Sequence, residues 1–471
     1  MTNTSWQPDL SGQSGPKYLA LSRALREAVR KGVLAEGSRL PPVRDLAWRL
    51  GVTPGTVARA YRIATQDGLL EATVGRGTFV ASRRPALGPG ADILGRPRPA
   101  ARPGAAEGIV DLRPPLLPEV GQSDAIRQAM RDVAAQEGSR YLDYPSVRGD
   151  RAVREAFAFY LSDLTLGAVD PDDIALVMGG QSGVNIVLQC TLRGDRPVVF
   201  AEELAYPGFR HAARLNRAEI VPVPLDAQGM RADALDQACR HVRGRLVCVT
   251  TEAQNPTTVR MTPERRAEIV AVARVHDLQI LEDDCYAAGL PGLPALRAAA
   301  PERTWLIASL SKSVAAGLRF GAVLCPSGLG ETARLATQHG YFGLSAPILD
   351  IVQRLLVSGR AAELRTAVQA EFDRRLGIAL NALGRFDVSW QKGLAFVWLK
   401  LPSGWRASTF TRTAEAEGVL IRSSDEYALV DGHAPNAVRI ALAGDVPEDR
   451  FAGAMATLAR LLDRPPNSFF D

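Results

Sequence analysis

Lys312 is the residue that most needs a reason. It stands in Ser309-Leu310-Ser311-Lys312-Ser313, just past an apolar run that reads as a buried strand. Lysine is rarely buried without a task. One such task is Schiff-base chemistry, in which a desolvated amine condenses with an aldehyde. The nearby hydroxyls, and the guanidinium in Gly317-Leu318-Arg319-Phe320-Gly321, suit a phosphate. Alone, this pattern is weak, but other positions point the same way. Asp283, at the end of the run Gln279–Glu282, could pair with a pyridinium nitrogen and make that ring an electron sink. Tyr286, three residues on, could hydrogen-bond a phenolate oxygen of the ring, and Asn255-Pro256-Thr257 offers an amide to the same oxygen. Gly179-Gly180-Gln181-Ser182-Gly183 follows a strand and opens a helix, which makes a cradle of backbone N–H groups for an anion. Tyr206, in Ala205-Tyr206-Pro207-Gly208, could stack on a ring. Singly, each has a plainer use: Asp283 as a helix cap, Tyr206 as core.

These residues need elements to bring them together. Apolar runs at Ile174–Met178, Pro197–Ala201, Ile220–Pro224, Leu246–Thr250, Gln279–Glu282, Trp305–Ala308 and Phe320–Leu324 read as buried strands, most of them separated by helical lengths. That alternation predicts an α/β domain around a largely parallel sheet. The candidate residues then fall at the C-terminal ends of the strands, where such sheets bind ligands. From about Leu344 onward, long helical stretches mix with short strands (Leu394–Leu399, Ala437–Ala441), which predicts a smaller α+β lobe.

The N-terminal part reads differently. Tyr18, Leu21, Leu25, Ala28 and Val29 recur at helical spacing before Gly32. A second helix starts after Pro41-Pro42, with Val43, Leu46, Ala47 and Leu50 inward. A tight turn leads to a third helix, with Thr53 as N-cap, Pro54 as its first residue, and Val57, Tyr61 and Ala64 inward. Leu69–Ala72 and Thr78–Ala81 then read as two short strands. Helix, helix, turn, helix and hairpin is the order of a winged helix-turn-helix, whose third helix enters the DNA major groove. Residues 82–108, rich in Pro, Gly and Arg, read as an extended linker whose arginines either solubilise it or brush a phosphate backbone.

Charge supports this division. The net charge of +5 conceals 16 basic and 8 acidic residues in 1–108, against 40 and 43 in the remainder. All the excess positive charge precedes residue 109, as expected for a module that meets an anionic partner. Five scattered cysteines without C-x-x-C spacing read as free thiols of a reducing cytoplasm, not as a metal site. No stretch approaches about 18 consecutive apolar residues, so no transmembrane helix is expected.

The segment GVLAEGSRLPPVRDLAWRLGVTPGTVARAYRIATQDGLLEATVGRGTFVA resembles the GntR-type DNA-binding domain, placed at residues 16–81. The resemblance implies that Arg44 opens the second helix and reaches DNA. It implies further that Thr56 and Arg59 lie on the recognition helix and Arg76 at the wing tip. Pro42 stands where that family often has Ser, and Pro54 where it often has Arg, so a bidentate Arg–guanine contact from that position is unavailable.

From about Ile109 to Leu462 the chain resembles fold-type I aminotransferases, with a pyridoxal 5'-phosphate domain placed at 109–471. Residue by residue, the resemblance implies that Lys312 forms the internal aldimine and Asp283 pairs with the pyridine nitrogen. Asn255 and Tyr286 hold the 3-oxygen, and Tyr206 stacks on the ring. Gly180, Gln181, Ser309 and Arg319 hold the phosphate. Arg439, in Val438-Arg439-Ile440-Ala441, matches an arginine that receives an amino acid's carboxylate, although alone it could be an internal ion pair. Tyr144 matches a tyrosine donated across a dimer interface. Gly180 stands where a small hydroxyl residue is frequent, Ser182 where Gln is, and Cys285 where Pro is.

The two halves in this order resemble the MocR subfamily of bacterial transcription regulators. That resemblance implies a cytoplasmic homodimer binding double-stranded DNA, gated by pyridoxal phosphate or by an amino compound reacting at Lys312. A working aminotransferase that carries a DNA-binding domain is the alternative, because every residue needed for proton transfer is present. A third reading makes the C-terminal domain only a dimerisation scaffold.

Overall fold

The computed structural model describes residues 6–8, 17–31, 33–35, 37–66, 69–73, 77–80, 108–136, 140–145, 150–286, 292–429 and 434–464. Contacts divide the chain into two compact units, Met1–Gly90 and Ala91–Asp471. The division falls within the segment read as a linker, of which only Gly108 is among the described residues.

The N-terminal unit has helices α1 (Lys17–Arg30), α2 (Val43–Leu50) and α3 (Pro54–Gln66), then strands β1 (Leu70–Thr73) and β2 (Gly77–Val80). Each helix is amphipathic, and the apolar stripes converge on Leu21, Leu25, Leu46, Val57, Ala60 and Tyr61, closed by Leu70 and Val80. Gly51 ends α2 with φ 59°, the left-handed cap that lets the chain turn into α3. Thr53 caps α3, its Oγ1 accepting from Thr56 N at 3.3 Å. Pro42 precedes α2 without any side-chain cap, the consequence of proline where a hydroxyl would serve. β1 and β2 pair antiparallel from Leu70↔Val80 to Thr73↔Gly77.

The second unit is built on a seven-stranded sheet. Its strands are β3 (Ile174–Val177), β4 (Val198–Glu202), β5 (Glu219–Val223), β6 (Leu246–Val249), β7 (Gln279–Asp283), β8 (Thr304–Ser309) and β9 (Gly321–Leu324). All seven match the apolar runs. β3, β4, β6, β8 and β9 are buried at every position, as expected for strands covered on both faces. The spatial order is β3-β9-β8-β7-β6-β4-β5. Only β9 runs antiparallel to its neighbours, β8 and β3. This reversal matters for the site. The start of β9 lies at the same rim as the C-terminal ends of the other strands, so Arg319, just before it, joins residues that follow strands.

The smaller lobe has an antiparallel sheet of β10 (Val388–Ser389), β11 (Phe396–Lys400), β12 (Arg422–Ser423) and β13 (Ala437–Ala441), in the order β10-β11-β13-β12. Its core includes Phe372, Val397, Phe410, Ile440, Phe451 and Leu458. Val110–Asp111, the first described strand after the linker, pairs parallel with Val419–Leu420 of this lobe.

Candidate functional site

Gly179 has φ 79° and leads into helix α4 (Gly180–Thr191), whose first turn exposes backbone N–H groups at the rim. A Cβ on Gly179 would meet Arg319 Nη2 at 2.7 Å, so glycine serves both the turn and the close approach. Arg319 itself is left-handed (φ 47°), a conformation costly for a residue with a side chain. It is tied down by Nη2 donating to Met178 O at 2.8 Å, while Nη1 lies 3.5 Å from Ser311 Oγ. Gln181 stands in the first turn of α4, its Nε2 donating to Gly208 O at 3.1 Å and its Oε1 buried without a partner among the described residues. Ser309 is buried. Its Oγ lies 3.1 Å from Phe320 O, which can only accept, and 3.0 Å from Ser311 Oγ. Ser309's proton is therefore spent on Phe320, and Ser311 is the hydroxyl beside Arg319.

Lys312 follows in a short 3-10 turn capped by Ser309. Its Nζ lies 5.7 Å from the centre of the Tyr286 ring and makes no ion pair among the described residues. Asp283 ends β7. Burial holds its carboxyl above the usual range, Cys285 N donates to Oδ1 at 3.2 Å, and no cation pairs with it among the described residues. It caps no helix among the described residues. Tyr286 packs edge-to-face on Phe396, with ring centres 5.3 Å apart. Tyr206 sits just before helix α5 (Pro207–Leu215), half-buried, its hydroxyl pushed up chiefly by burial and next by Tyr286.

Arg439 lies in β13 and is 4 % exposed. Nη1 donates to Asn255 Oδ1 at 2.9 Å and Nη2 to Arg113 O at 2.6 Å. No carboxylate pairs with it among the described residues, so it is not an internal ion pair. Since Oδ1 of Asn255 faces a group that only donates, the amide nitrogen of Asn255 remains as a donor. Tyr144 is 82 % exposed and touches the Phe342 ring at 5.2 Å.

These residues fit a pyridoxal group. A buried carboxyl without a cation suits a protonated ring nitrogen, an unpaired lysine suits an aldehyde, and a glycine turn with a helix N-terminus and an arginine suits a phosphate. The sequence reading missed one adjustment. A Cβ on Gly180 would come 2.6 Å from Cys285 Sγ. The two departures noted in the sequence are thus complementary: the thiol takes the space a side chain at 180 would need. It also missed Tyr427, whose buried hydroxyl has no hydrogen-bond partner among the described residues. Tyr427 sits in an irregular turn, where no periodicity marks a residue as inward.

In the N-terminal unit, Arg44 and Arg59 are exposed and Thr56 is half-buried. Thr56 Oγ1 lies 3.0 Å from Thr53 Oγ1. The Arg59 guanidinium rests over the Tyr18 ring at 4.0 Å, which orients it from α3. Arg76 lies outside the described residues.

Residues 17–80 match the gntR family of bacterial regulatory proteins, and residues 115–452 match aminotransferase class I and II. The chain is 26 % identical over 462 residues to an uncharacterized HTH-type transcriptional regulator, YdeF, of Bacillus subtilis, covering 98 % of this chain and 97 % of that one. It is 28 % identical over 344 residues to the HTH-type pyridoxine biosynthesis transcriptional regulator PdxR of Corynebacterium glutamicum, covering 72 % and 71 %. Among solved structures, an archaeal alanine:glyoxylate aminotransferase superposes with a TM-score of 0.67 at 22 % identity, covering 75 % of this chain and 91 % of that one. That likeness establishes the fold.

Proposed function

Because the chain belongs to the aminotransferase class I and II family and carries a GntR-family domain ahead of it, the arrangement of the MocR subfamily, we propose that it is a pyridoxal-phosphate-dependent transcription regulator. It binds double-stranded DNA and senses an amino compound or pyridoxal phosphate itself. One observation carries this reading. Asp283 without a cation and Lys312 without an anion sit at one rim of the sheet, in a chain whose excess positive charge all precedes residue 109.

Bound at that rim, pyridoxal phosphate supplies an aldehyde carbon that captures primary amines and a ring that draws electrons. The rest is the work of the chain. Lys312 Nζ gives and takes a proton, and Asp283 holds the proton on the ring nitrogen. Asn255 and Tyr286 orient the 3-oxygen, and Tyr206 covers the ring. The N–H groups of Gly180 and Gln181, with Ser311 and Arg319, bind the phosphate, and Ser309 holds Ser311 in place. Arg439 takes the carboxylate of an amino-acid effector.

The route from this site toward the linker is short. Arg113 O accepts from Arg439, and it follows directly on Val110 and Leu112, whose N–H groups bond Gly418 O and Leu420 O at 2.8 Å each. A ligand that draws Arg439 toward itself pulls on the chain where it leaves the linker. For this to regulate, the effector must bind two arrangements with different affinity. Exposed Leu142, Tyr144 and Phe342 support a homodimer in which Tyr144 reaches the partner's pocket. A DNA-binding module and five free cysteines support a cytoplasmic location.

The test is a ligand screen for shifts in the visible absorption of the loaded protein, paired with DNA affinity for each hit. Hits that change DNA affinity are expected. Ligands that bind at Lys312 yet leave DNA affinity unchanged would sink the regulatory reading. Many turnovers with an amino acid and a keto acid would make the domain an enzyme instead.

A further inference from the structure

Arg439 presents an imbalance that its neighbours do not resolve. A buried guanidinium normally has a carboxylate beside it, because an isolated buried charge is expensive. Here it has an amide oxygen and a main-chain carbonyl, and its Nε is buried without a partner among the described residues. The group is clamped between two rings, Phe396 at 5.0 Å and Tyr427 at 5.2 Å. Arg422, its cross-strand neighbour, pairs with Glu426, so that carboxylate is already engaged.

Tyr427 adds a second orphan at the same place. It is 1 % exposed, and its hydroxyl has no hydrogen-bond partner among the described residues. Its backbone is pinned on both sides: N donates to Ser424 O at 3.0 Å, O accepts from Ala205 N at 3.0 Å, and Leu429 N donates to Glu203 O at 2.9 Å. The segment is therefore held beside Ala205, the neighbour of Tyr206, and the buried ring keeps its hydroxyl from water. Arg439, Arg422, Glu426 and Tyr286 are the charged or titratable groups that face it. The Arg439 guanidinium lies over the Tyr427 ring, and each side chain keeps a buried donor without a partner among the described residues, which calls for an anion that can accept from both.

We propose that the Tyr427 hydroxyl is a second ligand of the effector's carboxylate, donating to it alongside Arg439, so that the pocket selects amines that carry a carboxylate. This deepens the reading of Arg439 given above and rests on it. A plain amine, or pyridoxal phosphate alone, leaves both donors unanswered.

Two reagents separate the possibilities. Aminooxyacetate and methoxyamine capture pyridoxal phosphate through the same aminooxy group, but only the first has a carboxylate. Their capture rates are read from the visible absorption of the loaded full-length chain. The wild type is expected to react at least about tenfold faster with aminooxyacetate. Tyr427→Phe should lower that preference by about tenfold, the size of one hydrogen bond to a charged group, and leave the methoxyamine rate unchanged. Preference unchanged in Tyr427→Phe but lost in Arg439→Gln overturns the role of Tyr427 and keeps that of Arg439. No preference in the wild type overturns both. No reaction with either reagent overturns the cofactor reading beneath them. A further readout needs no cofactor. The unloaded Tyr427→Phe chain should melt at the wild-type temperature or above, because its hydroxyl has no protein partner to lose. A lower melting temperature would show that the hydroxyl is engaged within the protein, and would count against the proposal.

Discussion

Arg44 and Arg59 of the N-terminal unit keep their guanidinium groups exposed, whereas Arg375, Arg297 and Arg439 of the second unit are almost wholly buried. The exposed pair needs no protein acceptor to stay charged, and the positive surplus around it acts as a sum on a polyanion. The buried three are held by named atoms. Arg375 reaches Leu442 O, Ala443 O, Gly444 O and Val446 O, and Arg297 reaches Leu166 O and Ala168 O. One residue type thus serves a field in one unit and a fixed geometry in the other. Substitutions should accordingly fail in different currencies: DNA affinity and salt dependence in the first, folding and ligand capture in the second.

The largest contrast is all-or-none. Lys312→Ala should lose the visible absorption of bound pyridoxal phosphate and, with it, every effector-dependent shift in DNA affinity, while the salt dependence of DNA binding stays as in the wild type, since the basic residues of the N-terminal unit are untouched. Spectrophotometry and anisotropy titration of the same preparation check both halves. Next comes Arg375→Ala, which strands four buried carbonyls. It should cost roughly 3–5 kcal/mol in denaturant unfolding.

Glu202 gives the pH arm. Burial pushes its carboxyl up to about 8 from an ordinary 4.5. The folded chain therefore holds a proton that the unfolded chain releases, so stability from this group is full below about pH 4.5 and is lost as pH rises toward 8. Wild type should lose stability across that window by up to about 1.4 kcal/mol per unit, and Glu202→Gln should flatten the curve. Parallel curves for the two proteins would refute this.

Gly180→Ser should destabilise by roughly 1–3 kcal/mol through the Cys285 thiol, and Cys285→Ala should recover most of that loss in the double variant. Additive losses would mean that the two positions do not meet. The smallest effect on folding belongs to Arg44→Ala, within about 0.5 kcal/mol. Its signature lies in DNA binding, where the slope of affinity against salt should fall by about one.

The same contrast explains what the sequence disclosed. All seven strands were legible because strands covered on both faces must be apolar throughout. The reversed direction of β9 was not, since Phe320–Leu324 reads alike either way along the sheet. The positions of Lys312, Asp283, Asn255 and Tyr286 could be read because Asp283 ends a strand and the others come after one, and a strand's end fixes where a side chain arrives. The resemblance placed Arg44 on α2 and Thr56 and Arg59 on α3, where they stand, but the seating of Arg59 on Tyr18 could not be read, because it depends on how α1 crosses α3. Gly180 and Cys285 read as two unrelated departures until the fold brought them together. Tyr427 gave no signal at all, because its burial comes from a turn pinned to Glu203–Ala205, far away in the chain.

The central claim is that occupancy of the Lys312 pocket changes the grip of the winged helix on DNA. The most direct measurement is anisotropy titration of a DNA fragment, selected for binding to the loaded full-length chain, before and after capture with aminooxyacetate. The account predicts that DNA affinity shifts several-fold in the wild type and not at all in Lys312→Ala. An unchanged affinity after complete capture, or the same shift in Lys312→Ala, would contradict it.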